Sequence, residues 1–381
     1  MFNIDQTYKF NFPTDIRFGC NVILLAIDFL KSKNIERIFV VSDKTVCQLE
    51  CHKKFLDLLK KNNIDIVLFN DFHSNPIESD VVKGATLYQN EDAEGILGFG
   101  GGASIDVARA ICLAAHHPRQ LFEYEDGVGD HLITQRIPPF LAIPTTSGTG
   151  SEVGRSAIIS DNKTHQKKIL FSPRLMAQLV LADPILTMDM PSHITAAVGM
   201  DAFTHNIEAF LAKNFHPICD GIAMEGMKLI KDSIVKAVKK PDLEVRAKML
   251  LGSMMGAISF QKGLGVVHSL AHPLSTLCNM HHGLANAMMI GVGLEFNESV
   301  CKEKYKGIEN NLEVKRVVGF VTQLQEELEI PASLQKVPNL PIGHEQLIPL
   351  SKLAIEDFCH PNNPRKVTEK DFLNMYEKMW K

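Results

Sequence analysis

A chain of 381 residues with 45% hydrophobic and 22% charged residues has the composition of an ordinary globular protein, long enough for about two domains with cores of their own. Its formal net charge of −4, without a long block of one sign, argues against an electrostatic grip on nucleic acid or anionic lipid and for a small-molecule ligand. Eight cysteines without a CxxC pair exclude a compact disulfide framework and read as reduced, mostly structural thiols.

In chain order, the opening MFNIDQTYKF lacks a basic start followed by an apolar stretch, and no apolar run approaches the ~20 residues of a membrane span, so a cytoplasmic protein is expected. From about residue 36 to 146, RIFVVSD, IDIVLFND, GILGFGGG and PFLAIPTT alternate with helical patterns, which predicts βαβ units and a mostly parallel, Rossmann-like sheet. AIIS, KKILF and QLVLAD carry strand character to about residue 183, where ADPILTMDMP marks a boundary. Beyond Pro191 apolar residues recur at three- and four-residue spacing, as in CDGIAMEGMKLIKDSIVKAVKK, while KKPDLE and IPASLQKVPNLPIG read as loops. The expected fold is an α/β N-terminal domain over residues 1–185 and an all-α C-terminal domain over residues 186–381.

Two turns follow predicted strands. GFGGGASIDVAR, from Gly98 to Arg109, ends a buried strand and opens a helix, where bare amides and the helix dipole can hold a phosphate. Ser104 and Asp106 are expected to cap that helix start. GFGGGA also fits G-x-G-x-x-A, but it follows the third strand counted along the chain, so it is a weak dinucleotide fingerprint. IPTTSGTGSEV stacks hydroxyls and glycines after another strand, as a ligand loop or as loop punctuation. Asp43, ending RIFVVSD, could accept hydrogen bonds from a ribose diol and repel an added phosphate, or cap the helix of KTVCQLE.

The helical half concentrates histidine. Asp201 and His205 are four residues apart, as are His268 and His272, and HHGLANAMM adds His281 and His282. Four-residue spacing puts each pair on one helix face. Three imidazoles and one carboxylate suit iron, zinc, cobalt or nickel better than calcium or magnesium. Adjacent residues point apart, and His282, which precedes Gly283, is the better ligand than His281.

Together these strings resemble the iron-containing (group III) alcohol dehydrogenase family through nearly the whole chain. The resemblance runs through FNFPTDIRFG, Asn75-Pro76, Pro144 to Glu152, Gly199 to Glu208, Gly263 to Pro273, His282-Gly283 and Asn363-Pro364-Arg365. It implies that Asp201, His205, His268 and His282 hold a metal, Fe2+ or else Zn2+, and that His272 lies near a nicotinamide. It further implies that Gly101, Gly102 and Ser104 hold the pyrophosphate, that Thr145, Thr146 and Lys167 contact the cofactor, and that Asp43 favours NAD over NADP. Asn75 and Asp106, in two of the shared motifs, join the cofactor-binding set. A homodimer or higher homo-oligomer, with the active site in the cleft between the domains, is also implied. Ala103 and Arg109 stand where the family's loop commonly has Ser and Lys, which predicts altered cofactor affinity with binding retained.

The expected activity is hydride transfer between a small primary alcohol or diol, or the matching aldehyde, and NAD. The metal would lower the alcohol's pKa and polarise the carbonyl in reverse. His272, one turn from His268, is placed to carry the departing proton or to hold a ligand's orientation. Glycerol-dehydrogenase-like or synthase activity on the same fold, or metal and nucleotide binding without hydride transfer, are the alternatives.

Overall fold

The computed structural model describes residues 14–164 and 166–381. The leader reading of the first ten residues, and the first four of FNFPTDIRFG, lie outside the described residues. The chain divides into two compact units, one reaching Asp189 but omitting Ser147–Thr149, the other made of Ser147–Thr149 and Met190–Lys381.

In the first unit the strands are β1 (Asp15–Phe18), β2 (Arg37–Val41), β3 (Asp65–Phe69), β4 (Gly95–Gly100), β5 (Phe140–Pro144), β6 (Ser156–Ser160), β7 (Lys167–Phe171) and β8 (Leu179–Ala182). Its helices are α1 (Leu25–Ser32), α2 (Glu50–Lys61), α3 (Glu78–Asn90) and α4 (Gly102–His116). Six strands pair in parallel in the order β1-β8-β5-β4-β2-β3. Strands β4, β5 and β8 are buried throughout, as expected where helices cover both faces of a parallel sheet. On one face Ile38, Val40, Leu97, Phe99, Leu141 and Ile143 alternate along their strands and join Leu30, Phe55 and Leu59 from α1 and α2 in a single core.

Two local expectations need correction, and a third holds with a pairing of its own. Strand β1 is additional, so the glycine loop follows the fourth strand; DIRF is a largely exposed edge of four residues, too short for its alternation to stand out as a strand. AIIS and KKILF are strands, but β6 and β7 form a separate antiparallel hairpin outside the main sheet. Helix α4 starts with Gly101 as its N-cap and no side-chain cap; Ser104 and Asp106 already lie inside the helix and turn elsewhere.

The second unit holds α5 (Ser192–Leu211), α6 (Pro217–Lys231), α7 (Ile234–Lys239), α8 (Leu243–Ser259), α9 (Val266–Cys278), α10 (His282–Asn297), α11 (Lys302–Leu312), α12 (Val317–Glu327), α13 (Leu347–Glu356) and α14 (Glu369–Trp380). From Thr195 to Leu211 only Phe210 of α5 is not fully buried, and the helix packs against α6, α7, α8 and α10. A helix buried all round should be apolar, because a polar group without a partner costs about 1–3 kcal/mol to bury. Helix α5 nevertheless buries Asp201, His205, Asn206 and Glu208. Among the described residues, no single helix is long and apolar enough to cross a membrane.

Candidate functional site

Asp201 and His205 stand one turn apart on α5, His268 lies in the first turn of α9 and His282 begins α10. One donor atom from each lies within 4.8 Å of the other three. From Asp201 Oδ1 the distances are 3.9 Å to His205 Nδ1, 4.0 Å to His268 Nε2 and 3.6 Å to His282 Nε2. These are the separations of atoms that can share one small cation, and the set is of the nitrogen and oxygen kind that first-row divalent metals take. His205 Nδ1 is buried without a hydrogen-bond partner among the described residues. Burial also pushes its imidazole down to about 4, so the ring is neutral at neutral pH with a lone pair to offer. Asn286, one turn after His282, donates its amide to Asp201 at 2.7 Å and lies 3.2 Å from Nε2 of both His268 and His282. The donor set therefore fits a divalent metal. His281 is exposed at the helix N-cap and takes no part in the cluster.

Glu208, one turn after His205, supports the set from beneath. Its carboxylate accepts the His268 Nδ1–H at 2.7 Å and the backbone N–H groups of Val267 at 2.7 Å and His268 at 3.2 Å. These amides lie in the first turn of α9, where N–H groups have no partner within the helix and a negative charge is favoured. A Cβ on Gly265 would fall 2.9 Å from Glu208 Oε1 and 2.7 Å from Asn363 Oδ1, so only glycine lets both cap α9; Asn363 takes the Val266 N–H. The Gly263–Pro273 and Asn363-Pro364-Arg365 segments thus meet at one helix start. With Nδ1–H committed to Glu208, His268 presents the Nε2 lone pair to the cluster.

His272 lies outside the four. Its Nδ1 is 2.6 Å from Asp357 Oδ2, and its ring stacks on that of His282 with centroids 5.4 Å apart. Burial alone would raise the Asp357 carboxyl, but the electrostatic and hydrogen-bonding contact with His272, with bonds from Ser269 and Cys359, holds it well below the ordinary carboxylate range. Glu208, Asn286 and Asp357 were not singled out in the sequence. The first two continue the one-turn spacing from His205 and His282; Asp357 has no local signal.

In the first unit β3 and β4 flank β2 on opposite sides, so the crevice past the carboxyl ends of β2 and β4 is a topological switch point, where open α/β sheets bind ligands. Asp43 and the glycine loop meet there. Asp43 Oδ1 accepts the N–H groups of Thr45 and Val46 at 2.9 and 3.0 Å, and Oδ2 accepts the Ser104 hydroxyl at 3.3 Å. The capping role and the place at the strand's end therefore coexist. Gly100 has φ +155°, and a Cβ there would fall 2.4 Å from Ser104 Oγ. Gly101 and Gly102 open α4, whose unpaired first-turn amides suit an anion. Thr145 donates its N–H to Gly100 O at 3.0 Å, and Thr146 stands where a Cβ on Gly101 would meet it at 3.3 Å. Asn75 lies in the connection after β3, and Lys167 opens β7.

Asp106 is committed to structure: it accepts Ser151 Oγ–H at 2.5 Å, Arg109 at 3.2 Å and the Ile158 N–H at 3.2 Å. Arg109 is wholly buried and also reaches the carbonyls of Leu175, Ser151 and Ser156. In the turn after β5, burial pushes the Glu152 carboxyl up to about 7, and its Oε1 has no partner among the described residues.

Two family models match the chain: iron-containing alcohol dehydrogenase over residues 13–184, and the C-terminal part of the Fe-containing alcohol dehydrogenase family over residues 195–380. A 4-hydroxybutyrate dehydrogenase of Cupriavidus necator is 34% identical over 373 residues, 92% of this chain and 95% of its own. A 1,3-propanediol dehydrogenase of Citrobacter freundii is 29% identical, covering 94% and 95%. The crystal structure of a 1,3-propanediol oxidoreductase superimposes with a TM-score of 0.92 at 27% identity, covering 98% of this chain and 100% of that one.

Proposed function

The chain belongs to the iron-containing alcohol dehydrogenase family, and on that premise we propose that it is an NAD-dependent oxidoreductase of small primary alcohols and diols, with iron or zinc held by Asp201, His205, His268 and His282. The observation that carries this reading is the convergence of those four donors within 4.8 Å in a chain of that family. The substrates named for two relatives, 4-hydroxybutyrate and 1,3-propanediol, both end a short chain in a primary hydroxyl, which supports the substrate class.

When bound, the ion supplies a Lewis acid for the alcohol oxygen, and the nicotinamide supplies the hydride acceptor. Asp201 would offset part of the charge of a bound cation, and Glu208 holds His268 by its Nδ1 so that Nε2 would be the atom to bind it. His272 receives the proton that leaves the alcohol and releases it toward water. Gly101 and Gly102 hold the pyrophosphate through their amides, with Ser104, Thr145, Thr146, Asn75 and Lys167 as further contacts. Asp106 belongs to this set through Ser151 and the hairpin it ties. Asp43 accepts from the ribose diol and repels an added phosphate.

Elemental analysis of anaerobically purified protein, followed by NADH formation over a panel of primary alcohols, diols and terminal hydroxy acids, tests the proposal. Near one equivalent of iron or zinc per chain is expected. Asp201→Ala and His268→Ala should lose both metal and turnover. Full activity in a metal-free Asp201→Ala protein would overturn the reading, and NAD binding without NADH formation from any alcohol would return the protein to a non-catalytic binder.

A further inference from the structure

We infer that Asp357 is a positioning residue that selects the tautomer of His272, and that Ser269 and the Cys359 amide decide which of its oxygens does so. The inference rests on the proton-carrying role proposed for His272 and names what makes that role reproducible.

Asp357 follows α13, 85 residues along the chain from His272. Its two oxygens have separate duties. Oδ2 faces His272 Nδ1 at 2.6 Å, while Oδ1 accepts the Ser269 Oγ–H at 2.6 Å and the Cys359 N–H at 2.9 Å. Ser269 Oγ in turn accepts the His360 N–H at 2.9 Å, which turns the hydroxyl proton toward Asp357. Both side chains of the pair are nearly buried, at 6% and 7% exposure, so water does not substitute freely for either partner. A carboxylate can only accept. The proton of a neutral His272 ring therefore sits on Nδ1, and Nε2 carries the lone pair. The ring is held in place by His282 on one side and Phe358, with centroids 5.4 Å apart, on another. Tautomer and ring plane are thus fixed by different groups.

Asparagine at this position has nearly the same shape but a predictable orientation. The Ser269 and Cys359 donors demand an oxygen at the Oδ1 place, so the amide nitrogen must face His272 Nδ1. The amide N–H donates, so Nδ1 has to accept, and the ring proton moves to Nε2, the wrong nitrogen for taking a proton; a buried aspartate that orients a catalytic histidine obeys the same logic elsewhere.

The test uses zinc-loaded full-length protein carrying 15N-labelled histidine, with Asp357→Asn and, for assignment, His272→Gln. The expected wild-type spectrum has His272 protonated at Nδ1, and Asp357→Asn moves the proton to Nε2. With it, kcat should fall about 100-fold or more, in the range of lost acid–base catalysis, while zinc content and the alcohol KM stay within about twofold. Asp357→Asn should add no further loss in a His272→Gln background. An Nε2-protonated His272 in the wild type overturns the inference whether or not the variant folds, and so does an unchanged tautomer in Asp357→Asn. A moved proton with unchanged kcat upholds the inference and instead removes His272 from the proposed proton path, so the two failures are distinguishable.

Discussion

Glu208 and His268, 60 residues apart in the chain, share a 2.7 Å contact between Oε2 and Nδ1, and the same carboxylate takes the first-turn amides of the helix that carries His268. Orienting the imidazole proposed to bind metal and capping its helix are one act. Glu208→Gln must present an amide N–H to at least one of these donors. A loss of about 10–100-fold in metal affinity is expected, read by competition with a chelator; unchanged affinity would show that His268 holds its orientation without the carboxylate.

Asp43 separates charge from capping. Its Oδ1 alone takes both the Thr45 and Val46 amides, so Asp43→Asn keeps the cap and removes the charge, whereas Asp43→Ala removes both. Both variants should gain NADP-dependent kcat/KM by roughly tenfold, a difference of about 1.4 kcal/mol. Only Asp43→Ala should also lose about 1 kcal/mol of stability. Cofactor-dependent rates and denaturant melts, measured together, check the split.

Arg109→Lys restores the residue common in the resembling loop and is expected to weaken the protein. The guanidinium donates to Leu175 O, Asp106, Ser151 and Ser156 O, and an ammonium with three donors cannot reach all of them. A loss of about 3 kcal/mol fits a buried ion pair left incomplete. Urea unfolding that matches the wild type would show the network to be dispensable. The expectation of altered cofactor affinity gives way here to a structural one, because the side chain is turned inward.

Glu152 carries a stability cost that depends on pH. Burial raises its folded pKa to about 7, above the ~4.3 of an unfolded glutamate, so the folded state binds the extra proton in that interval. No cost exists below about pH 4; it grows as pH rises toward 7 and is constant above. Glu152→Gln should therefore gain on the wild type between pH 5 and 8, by a few kcal/mol at about 1.4 kcal/mol per unit. Parallel melts at the two pH values test this, and a pH-independent difference between the two proteins would mean that Glu152 titrates normally.

Repeating geometry made much of the site legible in advance. Helical periodicity put Asp201 with His205 and His268 with His272, each pair one turn apart; the structure joins three of these with His282 and sets His272 aside with Asp357. Glu208 and Asn286 obey the same one-turn rule and could have been found by extending it. AIIS and KKILF read as strands, but their pairing in a hairpin of their own was not legible, because local pattern records that a segment is extended but not which edge it pairs with.

By itself, then, the chain determined its local elements and the types of its candidate donors, since propensity, periodicity and donor chemistry act over a few neighbouring residues. Only the folded form decided which donors face one another. Asp357 reaches His272 across 85 residues and Asn363 reaches Val266 across 97, contacts whose partners are chosen by the packing of whole helices and leave no trace in local spacing.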